Sequence, residues 1–302
     1  MPIALVIHGG AGPDSSFIRE NIPEIEDGLK HALYIGYQLL EKGDSALNVV
    51  EAVVNVLEDN PYFNAGKGSA LNNYGQVEMD ASIMEGQTMR SGAVAGTKTV
   101  KNPVSLARAV MEKTPHILLA GDQLDIIARK LGFEMKKQSY FITQHQRDVY
   151  LKSAAQILGD GVFRPGSHGT VGAVALDYSG NLAAATSTGG TEGKMPGRIS
   201  DSCIIGSGCY ANNKTCAVSS TGDGELLMKY VTAHAISDFT ELLQLSPADA
   251  CNKLIHERIG TGKGDAGVIS VNTAGQIGIA FNSERMPRGW KTSEDEGGIA
   301  VY

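Results

Sequence analysis

A threonine stands at the head of an apolar, strand-like run in Gly166-Ser167-His168-Gly169-Thr170-Val171-Gly172-Ala173-Val174-Ala175. Inside a chain, its hydroxyl has no base of its own. At a new N-terminus it would have one: an α-amine of intrinsic pKa about 7.7–8.0, able to take the proton of the neighbouring hydroxyl near neutral pH. Gly169 tolerates the strained backbone that would expose its carbonyl to that hydroxyl. An N→O acyl shift followed by hydrolysis would then free Thr170. The same residues also suit an ordinary strand start, because Thr favours strands and Gly marks turns.

Other segments offer complementary chemistry. Thr186-Ser187-Thr188-Gly189-Gly190 ends the following strand and, in a hairpin, brings a second hydroxyl beside Thr170. Gly197-Arg198-Ile199-Ser200-Asp201-Ser202 carries a cation and an anion three residues apart. Arg198 suits a carboxylate and Asp201 an ammonium, the two ends of an amino-acid head group; the pair also suits a surface salt bridge. Ser219-Ser220-Thr221-Gly222-Asp223-Gly224-Glu225 lies at a strand-to-helix junction, where free N–H groups can meet an oxyanion. Thr221 or Asp223 can equally serve there as a helix cap.

Several alternatives lack their required pattern. Gly66-Lys67-Gly68 and Gly262-Lys263-Gly264 have neither the hydroxyl residue nor the spacing of a phosphate loop. The seven histidines form no HExxH pair. His8-Gly9-Gly10 looks like a lipase oxyanion loop, but no GxSxG elbow accompanies it. Cys203, Cys209, Cys216 and Cys251 form no CxxC and fit no common zinc spacing, so they are expected as buried free thiols.

These residues need a scaffold, and composition bounds it. The 302 residues are 42% hydrophobic and 20% charged, which excludes a disordered chain, and the length allows one large domain or two ordinary ones. A net charge of −7 without a basic run argues against nucleic acid or an anionic membrane as partner. Met1–Ile7 reads as a buried strand and not as a signal peptide, and no run nears the roughly 20 apolar residues of a membrane span. A cytoplasmic protein is expected. A first strand is read at Ala4–Ile7. A helix then carries Ile25, Leu29, Leu33 and Leu40 and stops at Gly43, and a second, capped by Asp44, runs from Ser45 to about Leu57. A strand follows near Val77–Met84, then helices near Val104–Glu112 and Asp122–Leu131. Residues 133–169, polar and weakly periodic from Glu134 to Ser167, read as a flexible linker. Beyond it, strands are expected at Thr170–Asp177, Asn181–Thr186, Cys203–Gly206 and Thr215–Ser219, helices at Glu225–Leu242 and Pro247–Ile259, and closing strands at Ala266–Val271 and Gln276–Phe281. This order fits helices covering a mostly antiparallel sheet.

The chain resembles the plant-type L-asparaginase/isoaspartyl peptidase family of N-terminal-nucleophile hydrolases along essentially its whole length. The resemblance rests on HGGAG (His8–Gly12), FNAGKGSALN (Phe63–Asn72), EMDASIM (Glu78–Met84), HGTVGAVALD (His168–Asp177), NLAAATSTGG (Asn181–Gly190), GRISDS (Gly197–Ser202), TGDGE (Thr221–Glu225) and FNSERMPRG (Phe281–Gly289), in that order. It implies an α+β fold, a four-layer αββα sandwich in one domain, 1–302, cut between Gly169 and Thr170 into associated chains 1–169 and 170–302. Two such pairs would form the dimer. It implies Thr170 as nucleophile, Thr188 as its support, and Asn64 as a holder of the precursor. Arg198 would bind the substrate carboxylate, Asp201 and the Gly224 carbonyl its ammonium. The Thr221 hydroxyl and Gly222 N–H would form the oxyanion hole. No cofactor for the chemistry is implied, but a structural sodium ion is, on the carbonyls of Leu57, Glu58, Asn60, Phe63, Ala65 and Lys67. In Val110–Ala120, Ile117 stands where potassium-dependent members tend to carry a hydroxyl, which argues against potassium activation. The implied substrates are L-asparagine and β-aspartyl dipeptides, with poor turnover of glutamine, whose amide lies a methylene too far along.

The chain also departs from the pattern. Ser200 and Cys203 replace Gly and Pro of GRIGDSP-like segments, Asp223 occupies a variable position, and Arg285 and Pro287 alter an FNTxGMYRG-like segment. These positions bear on loop geometry and the leaving-group side. The alternatives are a glycosylasparaginase-like hydrolase, whose relatives typically have a secretory signal and Asp before the nucleophile, and an unprocessed, inactive member with a binding role.

Overall fold

Strands in the first half of this chain are built of small and β-branched residues, and the helices between them carry apolar stripes. The computed structural model describes residues 1–121, 123–160 and 169–302. Strand β1 (Ala4–His8) is followed by helices α1 (Ser16–Glu20), α2 (Ile22–Glu41) and α3 (Ala46–Glu58). Then come β2 (Met79–Glu85), β3 (Ser91–Thr97), α4 (Pro103–Lys113), β4 (Leu118–Ala120), α5 (Leu124–Lys130), α6 (Gln138–Phe141) and α7 (Gln144–Asp160). The second half holds β5 (Val171–Leu176), β6 (Leu182–Thr188), β7 (Cys209–Ala211), β8 (Cys216–Gly222), α8 (Gly224–Tyr230), α9 (Thr232–Leu242) and α10 (Pro247–Asn252). It closes with β9 (Ala266–Asn272), β10 (Ile277–Phe281), β11 (Arg288–Thr292) and β12 (Gly298–Ala300).

The strands form an eight-stranded sheet, β12-β11-β1-β5-β6-β2-β3-β4, and a four-stranded sheet, β10-β9-β8-β7. Every pairing is antiparallel except β3 with β4. Alternation along each strand splits the core into two layers. Leu5, Ile7, Ala173, Ala175 and Ile83 of the large sheet pack with Leu29, Val50 and Val53 of α2 and α3. Ala4, Val6, Val174 and Leu176, on the opposite face, join residues of the small sheet, whose own outer side is covered by α9 and α10. The result is the expected α+β sandwich of four layers, αββα. Among the described residues, no helix is long and apolar enough to cross a membrane.

Five readings change. The stretch read as a linker contains α6 and α7; Phe141 buries against Leu71, Val77 and Met79, while the polar remainder reflects helices lying at the surface. Gly166-Ser167-His168 falls outside the described residues. Glu225–Leu242 is two helices, α8 and α9, broken at Val231, whose φ of 48° is left-handed. The strand expected at Cys203–Gly206 is a 3₁₀ turn, Asp201–Cys203, capped by the Ser200 side chain. Ser45, not Asp44, caps α3 through the Asn48 amide. Finally, the chain continues past Phe281 into β11 and β12, and β11 pairs with β1.

Candidate active site

Thr170 precedes the first residue of β5, the strand between β1 and β6 in the large sheet. Val171 lies opposite Ser187 in the β5–β6 register, which sets Thr170 beside Thr188. Thr170 is buried, at 4% exposure. The carbonyl before it, that of Gly169, accepts the Thr188 hydroxyl at 2.8 Å and the Asn64 amide at 2.9 Å. Two donors on one carbonyl are what a developing oxyanion requires. Asn64 is itself held: Nδ2 also donates to Gly190 O at 2.7 Å, and Oδ1 accepts from Ala70 N at 2.7 Å.

The carbonyl on the other side of Thr170 is fixed by His8 of β1, part of a buried relay that reaches the second sheet. His8 Nδ1 lies 3.0 Å from Thr170 O, His8 Nε2 lies 2.8 Å from Ser219 Oγ, and Ser219 Oγ lies 2.8 Å from Thr186 Oγ1. Burial pushes the His8 pKa down to about 3, so the ring is neutral. A carbonyl can only accept, so Nδ1 carries the proton and Nε2 accepts from Ser219. His8, Ser219 and Thr186 were not read as site residues. The signal was His8 on the edge of a strand that must pair with the Thr170 strand.

Arg198, Asp201, Gly222 and Gly224 line one cavity with Gly169, Thr170 and Thr188. Arg198 makes a bidentate ion pair with Glu225, at 2.8 and 2.7 Å. Glu225, another residue not assigned a role from sequence, is the acidic residue that closes TGDGE. Asp201 is buried, and its Oδ2 has no hydrogen-bond partner among the described residues. Burial raises its pKa to about 7, against the attraction of Arg198. A Cβ on Gly224 would fall 2.7 Å from Arg198 Nη2 and 3.0 Å from Asp201 Oδ1, so only glycine leaves the gap between the two charges open. Thr221 Oγ1 accepts from Ala11 N at 3.0 Å, leaving its own proton for another acceptor. Asp223, not Thr221, caps α8, through Glu225 N and Leu226 N, so its carboxylate is engaged by the helix.

The departures from the family pattern have local reasons. Ser200 N donates to Asp80 Oδ2 at 2.7 Å, and Ser200 Oγ accepts from Ser202 N at 3.2 Å, which fixes the turn carrying Asp201. Cys203 is buried against Ala93 and Ala95. All four cysteines are buried and free, as expected.

Residues 57–68 form a loop leading from α3 to Asn64 and beyond. The carbonyls of Leu57, Glu58 and Asn60 accept N–H groups of Asn60, Lys67 and Phe63. Gly68, at φ +104°, brings the carbonyl oxygens of Phe63 and Pro61 within 2.5 and 2.7 Å of where its Cβ would be. Of the six carbonyls implied for a sodium ion, only that of Phe63 borders this cradle, and those of Leu57, Glu58 and Asn60 already accept backbone N–H groups. The Glu58 side chain has a role that the sequence did not show: it accepts Ser187 Oγ at 2.6 Å and Val104 N at 3.0 Å, tying this loop under β6.

The chain is similar to known proteins along nearly its whole length. The family model described as Asparaginase matches residues 1–301. The chain is 40% identical over 306 residues to the isoaspartyl peptidase of Salmonella typhimurium, covering 99% of this chain and 98% of that one. It is 41% identical over 299 residues to the isoaspartyl peptidase/L-asparaginase of Xenopus laevis, covering 98% and 94%. It is 40% identical over 295 residues to the plant-type L-asparaginase of Pyrococcus horikoshii, covering 94% of each.

Proposed function

This chain belongs to the asparaginase family and is a hydrolase, and from that premise we propose that it cuts itself before Thr170 and then hydrolyses the side-chain amide of L-asparagine and of β-aspartyl peptides. The observation that carries the reading is proximity: the junction Gly169–Thr170 and the pair Arg198/Asp201 line the same narrow gap.

In maturation, Thr170 Oγ attacks the Gly169 carbonyl carbon. Negative charge grows on the oxygen already held by Thr188 and Asn64. The hydroxyl proton passes to the Thr170 nitrogen, the C–N bond breaks, and an ester joins Gly169 to Thr170 Oγ. Water hydrolyses that ester, leaving a Gly169 carboxylate and a free Thr170 amine. In turnover, Arg198 takes the substrate α-carboxylate, with Glu225 yielding or sharing the guanidinium, while the α-ammonium meets the open oxygen of Asp201. Thr170 Oγ then attacks the β-carbonyl and the Thr170 amine takes the proton. The proton goes on to the leaving nitrogen, ammonia or a peptide amine departs, and water clears the aspartyl ester. Thr221, with its proton available, and the Gly222 N–H suit the oxyanion of this second reaction.

A sodium ion on the carbonyls of Leu57, Glu58, Asn60, Phe63, Ala65 and Lys67, with Pro61 beside them, would supply rigidity and no chemistry. It would pin the loop from which Asn64 reaches Gly169. The four free cysteines suit a reducing, cytoplasmic setting, and two cut pairs would associate as a dimer.

Intact-mass measurement tests the reading. Wild type near pH 7.5 is expected to give two masses that sum to the precursor plus one water, one fragment beginning at Thr170, and to release ammonia from L-asparagine. Thr170→Ala is expected to stay whole and inactive. A wild type that stays whole overturns the proposal of self-cutting. A cut enzyme inactive on both substrate types overturns the proposed substrates.

A further inference from the structure

We propose that Arg285 recognises the α-carboxylate of the residue that leaves from a β-aspartyl peptide. The proposal rests on the amidohydrolase reading above and extends it to the far side of the scissile bond.

Two cavities meet at Gly169. One holds Arg198 and Asp201. The other, of about 170 Å³ and partly open to solvent, is bounded by Asn64, Tyr62, Glu192, Arg285 and, from α7, His145 and Gln146. A substrate whose aspartyl head is gripped by Arg198 and Asp201 has its amide at Thr170, so what lies beyond the amide extends past Gly169 into the second cavity. For asparagine nothing lies beyond. For a β-aspartyl dipeptide it is an amino acid whose α-carboxylate sits one carbon from the scissile nitrogen.

Arg285 is suited to that group. It is 7% exposed. Nε donates to Pro13 O at 3.0 Å and Nη1 to Gly10 O at 3.4 Å. These fix the fork yet use only two of its five N–H donors. Among the described residues no carboxylate pairs with it at ion-pair distance; its electrostatic neighbours Asp14, Asp265 and Glu192 act from further away, and Asp14 is bonded to Arg19. Burial holds the Arg285 pKa below its ordinary value despite those neighbours, and an incoming carboxylate at bonding distance would relieve the cost of burying the charge. In the FNTxGMYRG-like pattern the position of Arg285 is glycine.

The test compares kcat/KM for β-aspartyl-leucine with that for β-aspartyl-leucinamide, which differs only in a neutral end. Taking the ratio within each protein cancels any general loss of activity. In Arg285→Gln the ratio of acid to amide is expected to fall about tenfold or more from its wild-type value, mainly through KM. Arg285→Lys, which keeps the charge but not the fork, should fall between the two, and it carries the comparison alone if the Gln variant does not mature. A ratio the same in wild type and variants overturns the role of Arg285 while leaving the amidohydrolase reading intact. A wild type that hydrolyses asparagine but neither dipeptide also overturns it. A mature wild type inactive on all three substrates overturns the underlying reading, and this proposal with it.

Discussion

The two halves of the candidate site differ in how completely they are bonded. Around Gly169 and Thr170 the chain's own groups meet one another: both carbonyls flanking the junction are held, by Asn64 and Thr188 on one side and by His8 on the other. Around Arg198 and Asp201 the bonding is unfinished. Arg198 leans on a half-exposed glutamate, and a buried Asp201 oxygen has no partner among the described residues. Buried polar groups are ordinarily satisfied, so the contrast carries information. The first half is complementary to something the protein already contains, its own peptide bond. The second leaves a buried charged group unfinished, which suits the zwitterion proposed as its ligand.

Removing donors from the finished half should have the largest effect. Asn64→Ala combined with Thr188→Val takes both hydrogen bonds from the Gly169 carbonyl, and at about 10²–10³ in rate per donor self-cutting should slow by roughly four orders of magnitude or more. Band intensities on a denaturing gel over time measure it; cutting at the wild-type rate would end the idea that the two donors serve the reaction. Asp201→Asn should do the converse. Cutting proceeds normally, while kcat/KM for L-asparagine drops by the cost of breaking one buried charge pair, about 2–5 kcal/mol. If cutting fails as well, the halves are not separable. A smaller effect follows from acid. The Asp201 pKa of about 7 belongs to the empty site. Below pH 7 the carboxyl takes a proton and loses its attraction for the substrate ammonium, so KM should climb about tenfold per pH unit. A bound ammonium holds Asp201 ionised, so this group leaves kcat unchanged across the same range. A flat KM between pH 5 and 7 would contradict the assignment. The smallest change is expected from Ser200→Ala, which removes the cap of the Asp201 turn. About 1 kcal/mol of stability should be lost, measurable by urea unfolding, with cutting unaffected.

Sequence and structure agree best where chemistry demands a residue type at a fixed spacing. Thr170, Thr188, Arg198, Asp201, Gly222 and Gly224 were legible as motifs, and they border one cavity. What supports them was less legible. His8, Ser219 and Thr186 act across two sheets, and their link depends on how the sheets face each other, which no local pattern encodes. Glu225 sits one turn away on α8 and becomes a partner of Arg198 only after folding. Among the elements, β3 escaped because Ser91–Thr97 is mostly small residues with no alternation, and β7 and β12 because three residues give no period. Helices α6 and α7 were hidden by polarity, since a surface helix with a single buried anchor such as Phe141 resembles a linker in composition.

The order of strands in the large sheet has a consequence for assembly. Reading across it, β12 and β11 come from after Gly169, β1 from before, β5 and β6 from after, and β2, β3 and β4 from before. The halves of the sequence are therefore laced through each other along three seams, β11 with β1, β1 with β5, and β6 with β2. Neither half contains the whole of this sheet, although the four-stranded sheet lies entirely after Gly169, and pairing residues so distant in sequence is slow. Thr188 and Asn64 reach Gly169 only when the lacing is complete. If the chain cuts itself as proposed, cutting would be a built-in inspection step: a chain that had not finished folding would stay in one piece, and the shorter fragments would report, molecule by molecule, that folding succeeded.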